Sequence, residues 1–176
     1  DDINVIFVED YHYSSGQGVI SVVRILPDGS YKIVPDIIKE NFHLSFPYVF
    51  EYMGNIYMIP ESHEAKAIRL YKCIRFPDKW EYLFNIMENV SAVDTMAFEH
   101  SGRWWMLTNI VPEGSCKHFT QLYAYSADSP LSKNWQPHPK NPICFSAKFG
   151  RNGGILRDKS GAIYRVRQKQ DFGRYG

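Results

Sequence analysis

The chain has no basic block and no surplus of charge. Its 20 Lys and Arg nearly match its 19 Asp and Glu, for a formal net charge of +1. Nucleic-acid binding draws on a concentrated cationic face, so the even balance argues against that class of partner. No apolar run approaches the roughly 18 residues that a membrane-crossing helix needs, and no charged-then-apolar leader opens the sequence. Cysteine is scarce: Cys73, Cys116 and Cys144 lie far apart, are odd in number and form no CxxC pair. They read as buried free thiols in a reducing, cytoplasmic setting. The six histidines show no metal-ligand spacing, and no calcium-loop pattern is present. GxSxG, a P-loop and a GxGxxG run ahead of a helix are also missing. No metal and no cofactor are expected. No stretch has the apolar period of an amphipathic helix, and no Gly-, Ser- or Pro-rich linker divides the chain. Residues 1–176 therefore read as a single all-β domain.

What is abundant is aromatic and apolar character. Aromatic residues make up 15% of the chain and hydrophobic residues 44%, enough for one packed domain. One phrase is written three times: FPYVFEYMGNIYMIPES from Phe46, VDTMAFEHSGRWWMLTN from Val93 and NGGILRDKSGAIYRVRQK from Asn152. Each copy has an apolar run, a short polar patch, a glycine and a second run with aromatics. The glycines are Gly54, Gly102 and Gly161, spaced by 48 and 59 residues. Strand-rich repeats of about 40–50 residues indicate propeller blades. The pairs Met53-Gly54, Ser101-Gly102 and Ser160-Gly161 predict two-residue hairpin turns. Ile56–Ile59 and Trp104–Leu107 are apolar throughout, as a strand covered on both faces would be. After each of the first two copies comes a strand, a proline turn and a Trp (Leu70 to Trp80, Leu122 to Trp135). The units run roughly 1–40, 41–90, 91–145 and 146–176, each of about four strands. Near the start, strands are expected over 3–8, 18–26 and 30–34, with a turn at Pro27-Asp28-Gly29. The opening strand lacks an earlier partner in its unit, so the chain is expected to cover part of a full propeller.

Propeller sites lie on the central axis, where inner strands converge. Residues flanking the repeated phrase are the candidates: His43, Ser45, Glu61 and Ser62; Asp94 and Asn109; Arg151, Asn152, Arg165, Arg167 and Gln168; and, near the end, Asp171. Glu9, Asp10 and Tyr11 lie at the matching strand end of the first unit. Carboxylates, amides and guanidiniums around one mouth suit a sugar or sugar phosphate. Each has a plainer use. Asp94 can cap a turn, Glu61 can pair with Arg69, Arg151 can hold loop carbonyls, and His43 can simply pack.

The stretch from Ala92 to Trp105 resembles a recurring phrase of five-bladed β-propeller glycosidases, the arabinanase, xylosidase and invertase group. Phe46–Phe50 with Gly54–Tyr57 resembles another. Three longer runs, Phe42 to Ser62, Ala127 to Pro142 and Gln170 to Gly176, are similar to the N-terminal propeller domain of glucosamine inositolphosphorylceramide transferases and its bacterial counterparts. The resemblance implies a five-bladed fold and a carbohydrate pocket. It gives Asp94 the place of the aspartate that tunes the acid and orients the sugar. It puts the catalytic base on a strand before residue 1, and the acid near Arg151-Asn152, where no carboxylate stands.

The expectation is a carbohydrate-recognising propeller domain of a glycosyltransferase-associated protein that assembles glycans or glycolipids. Asp94 and Glu61 accept sugar hydroxyls, and Arg151, Arg165 and Arg167 hold a phosphate or carboxylate. A linked transferase domain is the expected partner, with no membrane span in this chain. One alternative is a glycoside hydrolase acting on furanosides or related sugars, with Asp94 and Glu61 as its catalytic carboxyls. Another is a scaffold propeller that binds a protein.

Overall fold

The computed structural model describes residues 4–111, 121–146, 148–171 and 174–175. The strands are antiparallel throughout. β1 (Asn4–His12), β2 (Gln17–Ile25) and β3 (Tyr31–Ile38) form a first sheet. β4 (Ser45–Tyr52), β5 (Asn55–Glu61), β6 (Ala67–Arg75) and β7 (Lys79–Glu88) form a second, in sequence order. In the third, β8 (Ala92–His100), β9 (Arg103–Ile110) and β10 (Gln121–Ala127) are followed by two short pieces, β11 (Gln136–Pro137) and β12 (Cys144–Phe145), both on the edge of β10. β13 (Asn152–Arg157) pairs β14 (Ile163–Arg167), and β15 (Gln170–Asp171) pairs β16 (Arg174–Tyr175). The one helical element among the described residues is a single 3-10 turn, His63–Ala65. None of their helices is long and apolar enough to cross a membrane.

The glycine turns set the register. Met53 and Gly54 have φ of 48° and 70°, and Ser101 and Gly102 have 52° and 73°. Two successive positive φ values make a hairpin turn whose twist matches the strands, closing Tyr52 on Asn55 and His100 on Arg103. The third copy departs from the expected two-residue turn. Asp158 N–H donates to Ala162 O at 3.0 Å and Gly161 N–H to Asp158 O at 3.0 Å, so Lys159–Gly161 form a three-residue loop. The cause is Asp158 itself, whose carboxylate accepts the Ser160 and Ala162 amides at 2.8 and 3.0 Å and so builds a wider turn. The Pro27-Asp28-Gly29 loop closes the same way.

Strand alternation explains the unbroken apolar runs. On β5, Tyr57 and Ile59 join a core with Ile68, Leu70, Ile86, Ala97, Trp104 and Met106, between the second and third sheets. Met58, the residue between them, faces the other way, into a core with Ile20, Ile38, Leu44 and Tyr71 between the first and second sheets. Sheets stacked on both sides leave no polar face on the strand between them. Burying such a side chain is worth about 1.5–3 kcal/mol. Cys73 and Cys144 are free but only half-buried, not the fully buried thiols expected; Cys116 lies outside the described residues.

β4 lies against β1 and β8, and β8 against β13. β3 leads into β4 as β7 leads into β8. By that order β1, β2 and β3 take the places of β5, β6 and β7. The β1–β2 loop therefore stands at the same end of the molecule as the His63–Ala65 turn.

Candidate functional site

The site begins with three bulges. β4 slips against β5 between Ser45 and Tyr48, β8 against β9 between Val93 and Met96, and β13 against β14 between Asn152 and Gly154. A bulge adds a residue on one strand and re-aims its side chain. In the first two bulges the re-aimed residues have positive φ, Phe46 at 42° and Asp94 at 52°; in the third the extra residue is Gly153, and Gly154 beside it has φ 140°. Positive φ costs about 1–3 kcal/mol for a residue other than glycine, so something must hold Asp94 there.

Its neighbours do. The Asp94 amide donates to Glu61 Oε2 at 3.3 Å, and its carbonyl accepts from Asn152 Nδ2 at 2.8 Å. Arg151 clamps the carboxylate with Nε to Oδ2 at 2.6 Å and Nη2 to Oδ1 at 2.8 Å. The Asp94 side chain is 1% exposed and that of Arg151 12%. Burial raises the Asp94 carboxyl above its usual range, and the Arg151 bonds pull against that rise. The two bonds, one to each oxygen, are those of an ionised carboxylate held by a guanidinium fork.

Around this pair lies a cleft of about 620 Å³ lined by Phe7, Val8, Glu9, His43, Ser45, Phe46, Pro47, Glu61, Asp94, Arg151 and Gln168. Seven candidates named from the sequence, Glu9, His43, Ser45, Glu61, Asp94, Arg151 and Gln168, therefore meet. His43 Nδ1 accepts the Gly18 amide at 2.9 Å, so the neutral ring carries its proton on Nε2, which lies 3.4 Å from Glu9 Oε1. Glu61 Oε1 is 3.2 Å from His63 Nδ1. That contact raises the His63 pKa, against burial. Burial also lifts the Glu9 carboxyl; His43 lowers it and Glu61 adds to the rise. A groove of similar size between the second and third sheets, near Met87, Tyr125 and Trp135, gathers no comparable set of charges.

The remaining candidates stand elsewhere. Arg165 Nη1 donates to Gly150 O at 3.1 Å and to Asn152 Oδ1 at 2.8 Å, and Nη2 donates to Phe149 O. It braces the loop behind the cleft. The Arg167 guanidinium lies over the Phe149 ring at 4.1 Å. The carbonyl-holding arginine foreseen at 151 is thus Arg165, and Arg69, foreseen as a partner of Glu61, pairs with Glu40 at 3.4 Å. Ser62 Oγ donates to Ala67 O, Asn109 Nδ2 to Gln121 O, and Asp10 accepts from Ser21; these are structural bonds. The Asp171 side chain lies outside the described residues. Phe7, Val8, Phe46 and Pro47 were not foreseen. A signal existed for Phe46, which precedes Gly54 by the same eight residues that separate Asp94 from Gly102.

This arrangement of stacked sheets and an inner-strand cleft is that of the glycosidase-type β-propellers. The chain is similar over 99% of its length to a thermostable family-43 glycoside hydrolase (TM-score 0.65, 11% identity, 70% of that chain). It is also similar over 99% of its length to the Bacteroides ovatus xyloglucan-locus protein GH43B (TM-score 0.67, 14% identity, 36% of that chain). Those likenesses fix the fold. The family follows from sequence: residues 1–176 match the model of the glucosamine inositolphosphorylceramide transferase 1 N-terminal family, and the chain belongs to that family. It is 33% identical over 170 residues to glucosamine inositolphosphorylceramide transferase 1 of Oryza sativa subsp. japonica, and 34% identical over 170 residues to that of Arabidopsis thaliana. The match covers 95% of this chain but only 23% and 22% of those relatives.

Proposed function

We propose that the chain is the carbohydrate-recognising part of a glycosyltransferase-associated protein that assembles glycans or glycolipids. Its sheets are units of a five-bladed propeller with four-stranded blades, and the sugar lies at the axis in the Glu9–Glu61–Asp94–Arg151 cleft. The family, whose relatives are named as transferases, supports a linked transferase domain. The observation that carries the reading is the Asp94–Arg151 clamp on a strained bulge, with Glu9, Glu61, His43 and Gln168 converging in front of it. Such preorganised polar groups in a concave site suit polyol recognition.

The charge pattern favours hydroxyl- and ammonium-bearing sugars over sugar phosphates. Arg151 is neutralised by Asp94, Arg165 holds carbonyls and Arg167 covers Phe149. This leaves the cleft's uncompensated charge on the carboxylates, with Glu9 the more exposed to donors and Glu61, already bonded to the Asp94 amide, behind it. Hydrolysis has less support, because it needs two carboxyl groups facing across the bond and both Asp94 oxygens serve Arg151.

Calorimetric titration of the full-length protein with glucose, glucosamine and glucose 6-phosphate tests the reading. Binding of glucosamine or glucose that disappears in Glu61→Ala is expected, with glucose 6-phosphate weaker. No binding of any of the three, or binding untouched by Glu61→Ala, defeats it and favours a protein-binding scaffold.

A further inference from the structure

We infer that the cleft continues into a second sugar-binding position on the loop between β1 and β2, where Tyr13, braced edge-to-face by Tyr11, stacks on a further ring of the same ligand. The domain then takes an oligosaccharide rather than a single sugar. The inference rests on the cleft being the sugar site proposed above.

Tyr13 is 91% exposed and Tyr11 43% exposed. Their ring centroids lie 5.1 Å apart with the planes at 80°. Paired aromatic rings standing in water are unusual on a surface that needs no partner. The pair is also not isolated. Tyr11 is followed by His43 at 6.1 Å, and His43 by His63 at 6.5 Å. His43 and His63 are the rings beside Glu9 and Glu61, at 3.4 and 3.2 Å. Four rings thus run in series from open solvent to the carboxylates of the cleft. An aromatic face beneath a sugar's C–H face, with acceptors at the ring edge for its hydroxyls, is the combination that binds saccharides.

The track is held in place before any ligand arrives. His12 O accepts the Ser15 and Gly16 amides at 3.1 and 2.9 Å, and Gly16 takes φ 69° to close the loop. His12 Nε2 reaches Asp36 Oδ1 at 3.3 Å. At the other end the Gly18 amide fixes the His43 ring. A side chain at Gly18 would meet Leu44 O at 2.5 Å and His43 Cε1 at 2.8 Å, so ring and backbone pack with no slack. A platform already ordered keeps the entropy cost of binding low. The fold does not call for the tyrosines. The turn in the matching place of the second sheet is His63-Glu64-Ala65, with no tyrosine.

The test is chain-length dependence in the full-length protein. Calorimetry would use glucose, xylose and glucosamine, each with its β-1,4-linked dimer and trimer. The wild type should bind at least one trimer roughly three- to tenfold more tightly than its monomer, the gain one stacked ring supplies. Tyr13→Ala should erase that gain and leave monosaccharide affinity unchanged. Tyr31→Ala, a distant exposed tyrosine (67%), should change nothing. A gain that survives in Tyr13→Ala overturns the inference, as does monosaccharide binding with no gain in the wild type. If no sugar of any length binds, the axial sugar site itself falls, and the second position with it.

Discussion

Removing Arg151 tests the clamp most directly. Arg151→Ala deletes two short bonds to Asp94 and leaves a carboxylate that is 1% exposed. A buried ion without its partner does not stay charged at any cost; it takes up a proton. The penalty is therefore capped by the work of protonating Asp94 at the working pH. From an ordinary carboxyl value of 3.8, that work is about 4.4 kcal/mol at pH 7 and about 1.6 kcal/mol at pH 5. The variant should thus be about 3–4 kcal/mol less stable than wild type at pH 7, within the range for breaking a buried pair. The sign follows from linkage. In the variant the folded-state pKa is raised further above the unfolded value, so the folded state binds the extra proton and gains on the unfolded state as pH falls. The gap should narrow as pH falls from 7 to 5, by at most about 1.4 kcal/mol per pH unit. Urea unfolding at both pH values, read from midpoints at constant slope, measures it. A gap under about 1 kcal/mol at pH 7, or one that ignores pH, refutes the claim that Asp94 is an ion held by Arg151.

Two further outcomes are expected. Gly18→Ala forces a methyl group into Leu44 O and His43 Cε1; it should cost about 1–3 kcal/mol in urea unfolding and shift the His43 ring resonances in NMR spectra. His63→Gln removes a group whose pKa is raised in the folded state by Glu61. That contribution is present below about pH 6.5, the unfolded value, and is lost as pH climbs through the folded one. The variant should therefore lose more stability relative to wild type at pH 6 than at pH 8.5, and an equal loss at both would remove the Glu61–His63 contact from the account.

Much of the scaffold could be read from local pattern, because local physics decides it. Met53-Gly54 and Ser101-Gly102 sit where positive φ is needed, and unbroken apolar runs mark strands covered on both sides. Six of the twelve candidates that flank the repeated phrase, and Glu9 from the matching strand end of the first unit, meet in one cleft because they stand at the same strand ends. What escaped was partnership. A bulge adds a residue without changing the apolar count, so nothing in the string shows that Asp94 leaves the ladder. Which arginine meets which acceptor depends on contacts between sheets: Arg151 crosses to Asp94, 57 residues earlier, while Arg165 stays with its own loop. The Ser160-Gly161 turn went astray for a local reason, since Asp158 offers its neighbours a better acceptor than the two-residue turn provides.

Asp94 is tied to Glu61 of the second sheet, to Asn152 of the sheet after its own, and to Arg151 just ahead of it. Three sheets thus share one fastening, and none of the three can swing without undoing it. On the proposed reading, that side of the cleft is a fixed mould rather than a jaw, so preferences among ligands should appear in dissociation rates while association rates remain alike. The Asp94 amide, locked into the same fastening, should give up its proton only when the whole fold opens.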